Sequence, residues 1–183
     1  MSSDASPRSS LLPRLMLVVG AVAFLSACQA RPLYSQTSGT GAKLAEITFA
    51  KADDRVEQTV RNHLIFLTSG GEGDSLLPQY QVGFEVVSSY NDILDDEDAE
   101  GLKPGRVILR GSYTLVRISD GLLLKTGNRH VTSLLDVSQQ EFAELRAVRD
   151  AEDRAARELA EIIRADLAIA LAREPQPQVT WQK

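Results

Sequence analysis

The side chains best suited to chemistry in this 183-residue chain are one cysteine and two histidines. A thiol can be alkylated, ligate a metal or act as a nucleophile, and a histidine can move protons near neutral pH. His63 and His130 have no partner at metal or triad spacing. A single thiol also excludes an internal disulfide and a zinc site built on several thiolates. The sequence therefore predicts no catalytic residue and no metal site, and we expect no enzyme.

An acidic run is the strongest candidate for cation binding. Its members are Asp92, Asp95, Asp96, Glu97, Asp98 and Glu100. From Asp96 the order of acids and the position of Gly101 partly match a calcium loop, but Val107 stands where a bidentate glutamate is required. The flanking segments are also predicted strands, whereas a calcium loop of this kind lies between helices. We interpret the run as a solvated hairpin loop, with weak cation binding as the alternative.

The thiol of Cys28 stands at the end of a leader in three parts, residues 1–27. A basic, polar start ends at Arg14, an apolar stretch runs from Leu15 to Phe24, and small residues follow. This order is typical of a secretory signal peptide. An apolar stretch of about ten residues is short for a transmembrane helix, which needs about 20.

The string Leu25-Ser26-Ala27-Cys28 resembles a bacterial lipobox. The resemblance implies cleavage before Cys28, alkylation of its sulfur with diacylglycerol and acylation of the new amine. Two or three acyl chains suffice for stable anchoring, because each buried methylene contributes about 0.8 kcal/mol. The alternative is an ordinary signal peptide with a chance cysteine. Gln29 replaces the aspartate that would favour inner-membrane retention, so the outer membrane is expected.

The overall composition is that of an ordinary globular protein. The chain has 20 Lys and Arg against 25 Asp and Glu, a net charge of −5. This balance argues against a dedicated nucleic-acid binder, which would show a basic face. A hydrophobic content of 43% excludes a wholly disordered chain and a multi-span membrane protein.

Hydrophobic periodicity predicts four strands and two long helices. Strands are predicted at 44–50, 79–90, 106–118 and 122–135, the last two joined by an Asp-Gly turn. The first helix is predicted to begin at Asp53 as N-cap and to end at Gly70. The second is predicted over 139–172, after a capping box that starts at Ser138, with an apolar stripe from Phe142 and Leu145 to Leu171.

The simplest arrangement that buries these stripes is an α+β two-layer sandwich, with two helices packed on one face of a four-stranded mixed sheet. The other face is expected to stay polar. A single domain is predicted over 44–172. Residues 28–43 are predicted to form a lipidated N-terminus and flexible tether, because they are rich in small and polar residues. Residues 173–183 are predicted to form a disordered, proline-rich tail.

Four features, taken in their order along the chain, resemble the LPS-assembly lipoprotein family (LptE). They are Arg31-Pro32-Leu33-Tyr34, Arg55-x-x-Gln58-x-x-Arg61-Asn62-x-Leu64, the strands with Tyr80 and Tyr113, and Asp150-Ala151-x-Asp153-Arg154-Ala155-Ala156-x-x-Leu159. The resemblance covers residues 28–172. It implies a lipoprotein at the periplasmic face of the outer membrane of a Gram-negative cell.

The same resemblance implies that the chain binds the β-barrel LPS translocon subunit (LptD), plugs its lumen and assists its assembly. It further implies contact with lipopolysaccharide during transport. A polar barrel lumen suits a compact plug with one wet sheet face. Relatives contact lipopolysaccharide through basic residues near loop ends, so Lys103, Arg106 and Lys125 are candidate contacts. No cofactor is expected beyond the diacylglycerol and N-acyl chain on Cys28.

Two alternatives are open. The first is a general envelope or outer-membrane-assembly lipoprotein with a different protein partner. The second is a periplasmic lipid-carrying or lipid-processing protein, which would need a lipid-sized cavity. A thin two-layer domain leaves little room for such a cavity.

Overall fold

The structure is a computed structural model that describes residues 39–93, 103–138 and 140–174, all within one compact unit. The elements in chain order are α1 (Thr40–Ala45), β1 (Ile47–Phe49), α2 (Arg55–Ser69), β2 (Tyr80–Asp92), β3 (Lys103–Arg117), β4 (Leu123–Val137) and α3 (Glu141–Ala172). The predicted α+β architecture, with helices packed against a four-stranded mixed sheet, is confirmed.

The strands lie side by side in chain order. β1 pairs with β2 in parallel, and the β2–β3 and β3–β4 pairs are antiparallel. Val82 lies opposite Leu115, and Leu109 lies opposite Val131. Because side chains alternate between the two faces of a strand, this register gathers most of the apolar side chains of the four strands on one face.

The two long helices cover that apolar face. α2 contacts β1 and β2, while α3 contacts β3, β4 and α2. Small buried residues let α3 approach closely; they are Ala151, Ala155, Ala156, Ala160 and Ala168. Leu159 of α3 lies so near Gly111 that a Cβ atom there would be 3.0 Å from its Cδ2. The core is therefore packed against bare backbone at this point.

Two tyrosine rings on the same face lie over glycines of the neighbouring strand. A Cβ atom on Gly127 would be 2.5 Å from the hydroxyl oxygen of Tyr113, and one on Gly105 would be 2.7 Å from the ring of Tyr90. Glycine is required opposite the buried ring of Tyr113, whereas the ring of the partly exposed Tyr90 has room to shift.

The start of the domain differs from the prediction. The predicted strand at 44–50 is shortened to β1, and Leu44 and Ala45 belong instead to the helix α1. This helix begins at Thr40, so ordered structure starts inside the predicted tether and before residue 44. The alternation of apolar and polar residues at 44–50 predicted too long a strand. The helix α1 forms instead because it packs against α3 and α2, with Lys43 and Leu44 buried in those contacts.

The long helix ends at Ala172 as predicted but differs from the prediction at its start. Phe142 is 83% exposed and Leu145 is exposed, because burial along α3 begins only at Ala151. The N-cap is Gln140, which makes no side-chain capping bond, so the predicted capping box is wrong. Glu174, predicted to lie in the disordered tail, pairs with Arg117 at 2.7 Å. Residues 175–183 lie outside the described residues.

Candidate interaction surface

The three basic residues predicted to contact lipopolysaccharide or a partner do not come together. Lys103 and Arg106 both lie near the start of β3, but their odd spacing places them on opposite faces of the sheet. Lys125 lies opposite Leu115, at the far end of the same sheet and about 40 Å from Lys103 at 3.3 Å per strand residue. The contact of each with lipopolysaccharide stays a prediction, and the three do not form one site.

The face of the sheet turned away from the helices is not covered by any described residue, and we call it the open face. Its side chains are Gln81, Glu85, Val87, Ser89 and Asn91 from β2, Pro104, Arg106, Ile108, Arg110, Ser112, Thr114 and Val116 from β3, and Leu123, Thr126, Asn128, His130, Thr132, Leu134 and Asp136 from β4. Most of these are polar. The open face therefore keeps the wet character that the alternation predicts.

Two arginines of the open face have exposed guanidinium groups. Arg110 lies between Val87 and His130 in the cross-strand register, and Arg106 lies opposite Leu134. Neither arginine forms an ion pair with another described residue. A guanidinium presents a planar fork of donors that fits carboxylate and phosphate groups. The open face thus offers charged donors beside exposed apolar side chains.

A shallow depression of about 360 Å³ lies around Arg110 on the open face. Its lining side chains include Glu85, Ser112, Asn128 and His130. Together they offer a carboxylate, an amide, a hydroxyl and an imidazole within one surface region. The depression can accept a polar or charged group of a partner, and its openness to solvent makes it unlike a pocket for a lipid chain.

The motif strings that resemble the lipoprotein family meet across the α2–α3 contact. Arg55 of α2 donates to Asp153 of α3 at 2.9 Å and also pairs with Glu152. Arg154 pairs with Asp150 and donates to the carbonyl oxygen of Leu134 in β4 at 3.0 Å. These residues hold the two helices to each other and to the sheet. They lie on the covered side of the sheet, opposite the open face.

A buried glutamate ties the first long helix to the sheet. The Glu57 carboxylate accepts from the backbone N–H of Asp53 and of Val86, both at 2.8 Å. Asp54 in turn accepts from the N–H of Glu57 at 2.8 Å, which makes it the N-cap in place of the predicted Asp53. Asp54 and Glu57 thus satisfy two amides at the start of α2, and Glu57 also satisfies one strand amide.

A second polar cluster joins α3 to β3 and β4. Tyr113 donates to Asp166 at 2.6 Å, and Arg129 donates to both oxygens of that carboxylate at 2.8 and 3.0 Å. Burial would raise the pKa of Asp166, but the hydrogen bonds from Arg129 and Tyr113 and the charges of Arg129 and Lys125 outweigh it and lower the pKa. Burial and the carboxylate together raise the pKa of the Tyr113 hydroxyl.

The histidines lie on different layers. His63 lines a depression of about 460 Å³ on the α2–α3 surface, and His130 lies on the open face. Within residues 39–93, 103–138 and 140–174, no group of three or more His, Cys, Asp or Glu side chains is placed to hold a metal ion. Of the acidic run, only Asp92 is described. Burial and its hydrogen bond to Asp92 raise the pKa of Tyr90 to about 12.

The predicted lipidation site and signal peptide lie outside the described residues. Cys28 and residues 1–38 are not among them. In the part of the chain that is described, no helix has the length and apolar character needed to cross a membrane. The described depressions hold about 160 to 460 Å³ and are open to solvent, which does not match the lipid-sized cavity of the lipid-carrier alternative.

Solved structures share this fold, although no family model matches the chain and no curated protein matches it in sequence. A candidate lipoprotein from Caulobacter crescentus superposes with a TM-score of 0.60 at 21% identity, covering 75% of this chain and 98% of that one. The rare lipoprotein B from Shewanella oneidensis superposes with a TM-score of 0.51 at 8% identity, covering 67% and 92%. At these identities the likeness shows the fold.

The sequence analysis did not select Arg110 and His130 as surface candidates, although strand alternation places Arg106 and Arg110 on one face. Proximity to a loop end selected Lys103 and Lys125 instead. The signal that separates these residues is the alternation along each strand, since successive side chains point to opposite faces of the sheet.

Proposed function

We propose that the chain is an outer-membrane lipoprotein, anchored on the periplasmic face through Cys28. In this proposal it binds the β-barrel LPS translocon subunit (LptD), plugs its lumen and assists its assembly. It thereby takes part in lipopolysaccharide transport to the outer membrane. No covalent chemistry is assigned to the folded domain.

The observation that carries the proposal is the lone thiol of the chain at the end of a lipobox, in a protein that shares its fold with two proteins named as lipoproteins. The family strings add support, because they occupy the α2–α3 contact that holds the two helices together. A two-layer domain with a polar open face also fits an aqueous barrel lumen without exposing a broad apolar surface.

We assign the open face to the protein partner. Arg106 and Arg110 leave their guanidinium donors free of described partners, and Val87 and Leu134 beside them are exposed. A surface that combines arginine donors with apolar side chains has the composition of a protein interface.

The test is a detergent pull-down of the mature protein from its own membranes, washed at high salt, with mass spectrometry of the bound proteins. We expect one large outer-membrane β-barrel in near-equal amount. A Cys28→Ser variant is the control for anchoring, and it should lose both the acyl mass and the membrane fraction.

Two results would redirect the proposal. Recovery of a different protein partner would favour the general envelope-lipoprotein alternative. Recovery of no barrel, from a chain that still fractionates with the outer membrane, would overturn the plug. Arg106→Ala and Arg110→Ala together should lower barrel recovery, whereas Arg173→Ala, an exposed arginine on the helix side, should not.

A further inference from the structure

Both ends of the described chain lie at one end of the sheet. Lys43 of α1 donates to the carbonyl oxygen of Glu174 at 2.7 Å, just past the end of α3. The N–H of Gln79 donates to the carbonyl oxygen of Glu46, and the N–H of Ile118 donates to that of Gln79, both at 2.9 Å. We call this the tethered end; it comprises α1, the 70–79 loop and the 118–122 turn.

The tethered end exposes large apolar side chains on both of its connections. Leu76 and Leu77 are 95% and 82% exposed in the 70–79 loop. Ile118, Leu122 and Leu123 are about half exposed in and beside the 118–122 turn. The backbone bond between Gln79 and Ile118 joins the two connections. Clustered exposed apolar residues of this kind mark a binding surface.

Two arginines at this end are paired with carboxylates. Arg117 pairs with Asp120 at 2.8 Å and with Glu174 at 2.7 Å, and Arg61 pairs with Asp74 at 2.6 Å. These two arginines are therefore not free to attract anionic headgroups. A contact made here is expected to rest on apolar burial and to resist salt.

The chain itself brings this end to the bilayer. Gly39, the first described residue, precedes α1, and the segment back to Cys28 spans at most about 40 Å when fully extended. A lipid anchor at Cys28 thus holds the tethered end within reach of the leaflet that contains the acyl chains.

The far end also exposes apolar side chains, namely Ile93, Leu134, Phe142 and Leu145. It is separated from the tethered end by the length of β2, about 40 Å at 3.3 Å per residue. One leaflet cannot hold both ends. The position of the anchor therefore selects which apolar end meets the lipid.

We propose that the tethered end docks on the periplasmic leaflet of the membrane, with Leu76, Leu77, Ile118 and Leu122 inserted among the lipids. The inference rests on the lipid anchor of the proposed function, and it concerns the lipoprotein before a protein partner encloses it. Docking holds the sheet upright, so the far end projects from the bilayer and the open face is accessible from the side.

The test uses the mature, acylated full chain, purified without a partner and placed in vesicles of phosphatidylethanolamine and phosphatidylglycerol. Leu122→Cys and, as the matched control, Phe142→Cys are labelled with an environment-sensitive fluorophore. Lipids brominated in the acyl chains then quench any label that lies among them. We expect the label at residue 122 to lose about half of its emission, in 0.1 M and in 1 M salt, because interfacial insertion reaches about 5–10 Å. The label at residue 142 should not change.

A second pair of variants tests the leucines directly. Leu76→Ser with Leu77→Ser should reduce the quenching at residue 122, whereas Leu134→Ser with Phe142→Ser should leave it unchanged. Equal quenching at both labels, or none at either in a chain that carries its acyl chains and floats with the vesicles, would overturn docking alone. A mature chain without acyl mass would overturn the anchor itself, and the docking inference with it.

Discussion

Asp166 makes a polar contact that joins α3 to both β3 and β4. Its carboxylate accepts three hydrogen bonds from Tyr113 and Arg129, which come from two different strands. The Tyr113 side is buried, so the hydroxyl has no water to replace a lost acceptor. The Arg129 side is half exposed, and solvent screens that pair. Most of the stabilisation is therefore expected from the tyrosine bond.

We predict that Asp166→Asn lowers the free energy of unfolding at pH 7 by about 1–3 kcal/mol, because the buried Tyr113 hydroxyl and the Arg129 guanidinium lose their charged acceptor. The folded state lowers the pKa of Asp166, so its stabilisation is present above the ordinary pKa and is lost as the pH falls through the lower, folded value. Urea denaturation of both proteins between pH 7 and pH 2 measures this difference, which should shrink as the pH falls.

Asp150→Asn is the control, because Asp150 forms an exposed ion pair with Arg154 on the surface of α3. Its effect should stay within about 0.5 kcal/mol. A difference between wild type and Asp166→Asn that is the same at pH 7 and pH 2 would contradict the assignment.

At the scale of elements, the strands were predictable because each has one covered face. Alternation placed β2, β3 and β4 within a few residues of their observed bounds. The helix α1 was not predictable, since its six residues gain their stability from α3 and α2 rather than from local pattern. The exposed start of α3 was missed for the same reason, because periodicity shows an apolar stripe but not how far the sheet extends beneath it.

The β3–β4 pair also depends on a position without a side chain. We predict that Gly127→Ala destabilises the protein by about 1–3 kcal/mol, because its Cβ would collide with the Tyr113 ring and displace the hydroxyl from Asp166. Thermal unfolding measures the loss, and the absorbance titration of Tyr113 should move toward that of a free tyrosine.

Gly41→Ala provides the matched comparison, since a Cβ atom at Gly41 would meet nothing within 4 Å and the residue lies in α1. That variant should be neutral or slightly stabilising. Equal effects of the two substitutions would show that the Tyr113 ring does not need the space above Gly127.

For the whole molecule, the sequence predicted the layers and the polar character of the open face, but not the composition of the candidate surface. Lys103, Arg106 and Lys125 are close to loop ends in the chain, yet the length of β3 separates the first from the last. Arg106 and Arg110 share the open face because residues an even number apart in a strand point to the same side of the sheet. The tethered end depends on contacts between the two ends of the domain, which periodicity does not reveal.

The two ends of the domain are joined through a buried lysine. Lys43 is 8% exposed, and its ammonium group donates to the carbonyl oxygens of Leu171 and Glu174 at the C-terminus of α3. We predict that Lys43→Met lowers the free energy of unfolding by about 1–3 kcal/mol, because those carbonyls lose a charged donor at the negative end of the helix dipole. Hydrogen exchange should also quicken in the last turn of α3.

Lys51→Met is the comparison, because Lys51 is exposed and lies outside the elements. Its denaturation midpoint should match that of the wild type. If Lys43→Met behaves in the same way, α1 is held by its apolar contacts alone.

The same bond orders events in time. The donor on Lys43 and the acceptor on Glu174 are separated by 131 positions in the chain. Lys43 is synthesised long before Glu174, so α1 has no partner at the end of α3 until the rest of the domain has been made. Until the last turn of α3 emerges, the domain lacks the contact that joins its ends. The nascent polypeptide therefore cannot close the contact between its two ends before the whole domain has been made.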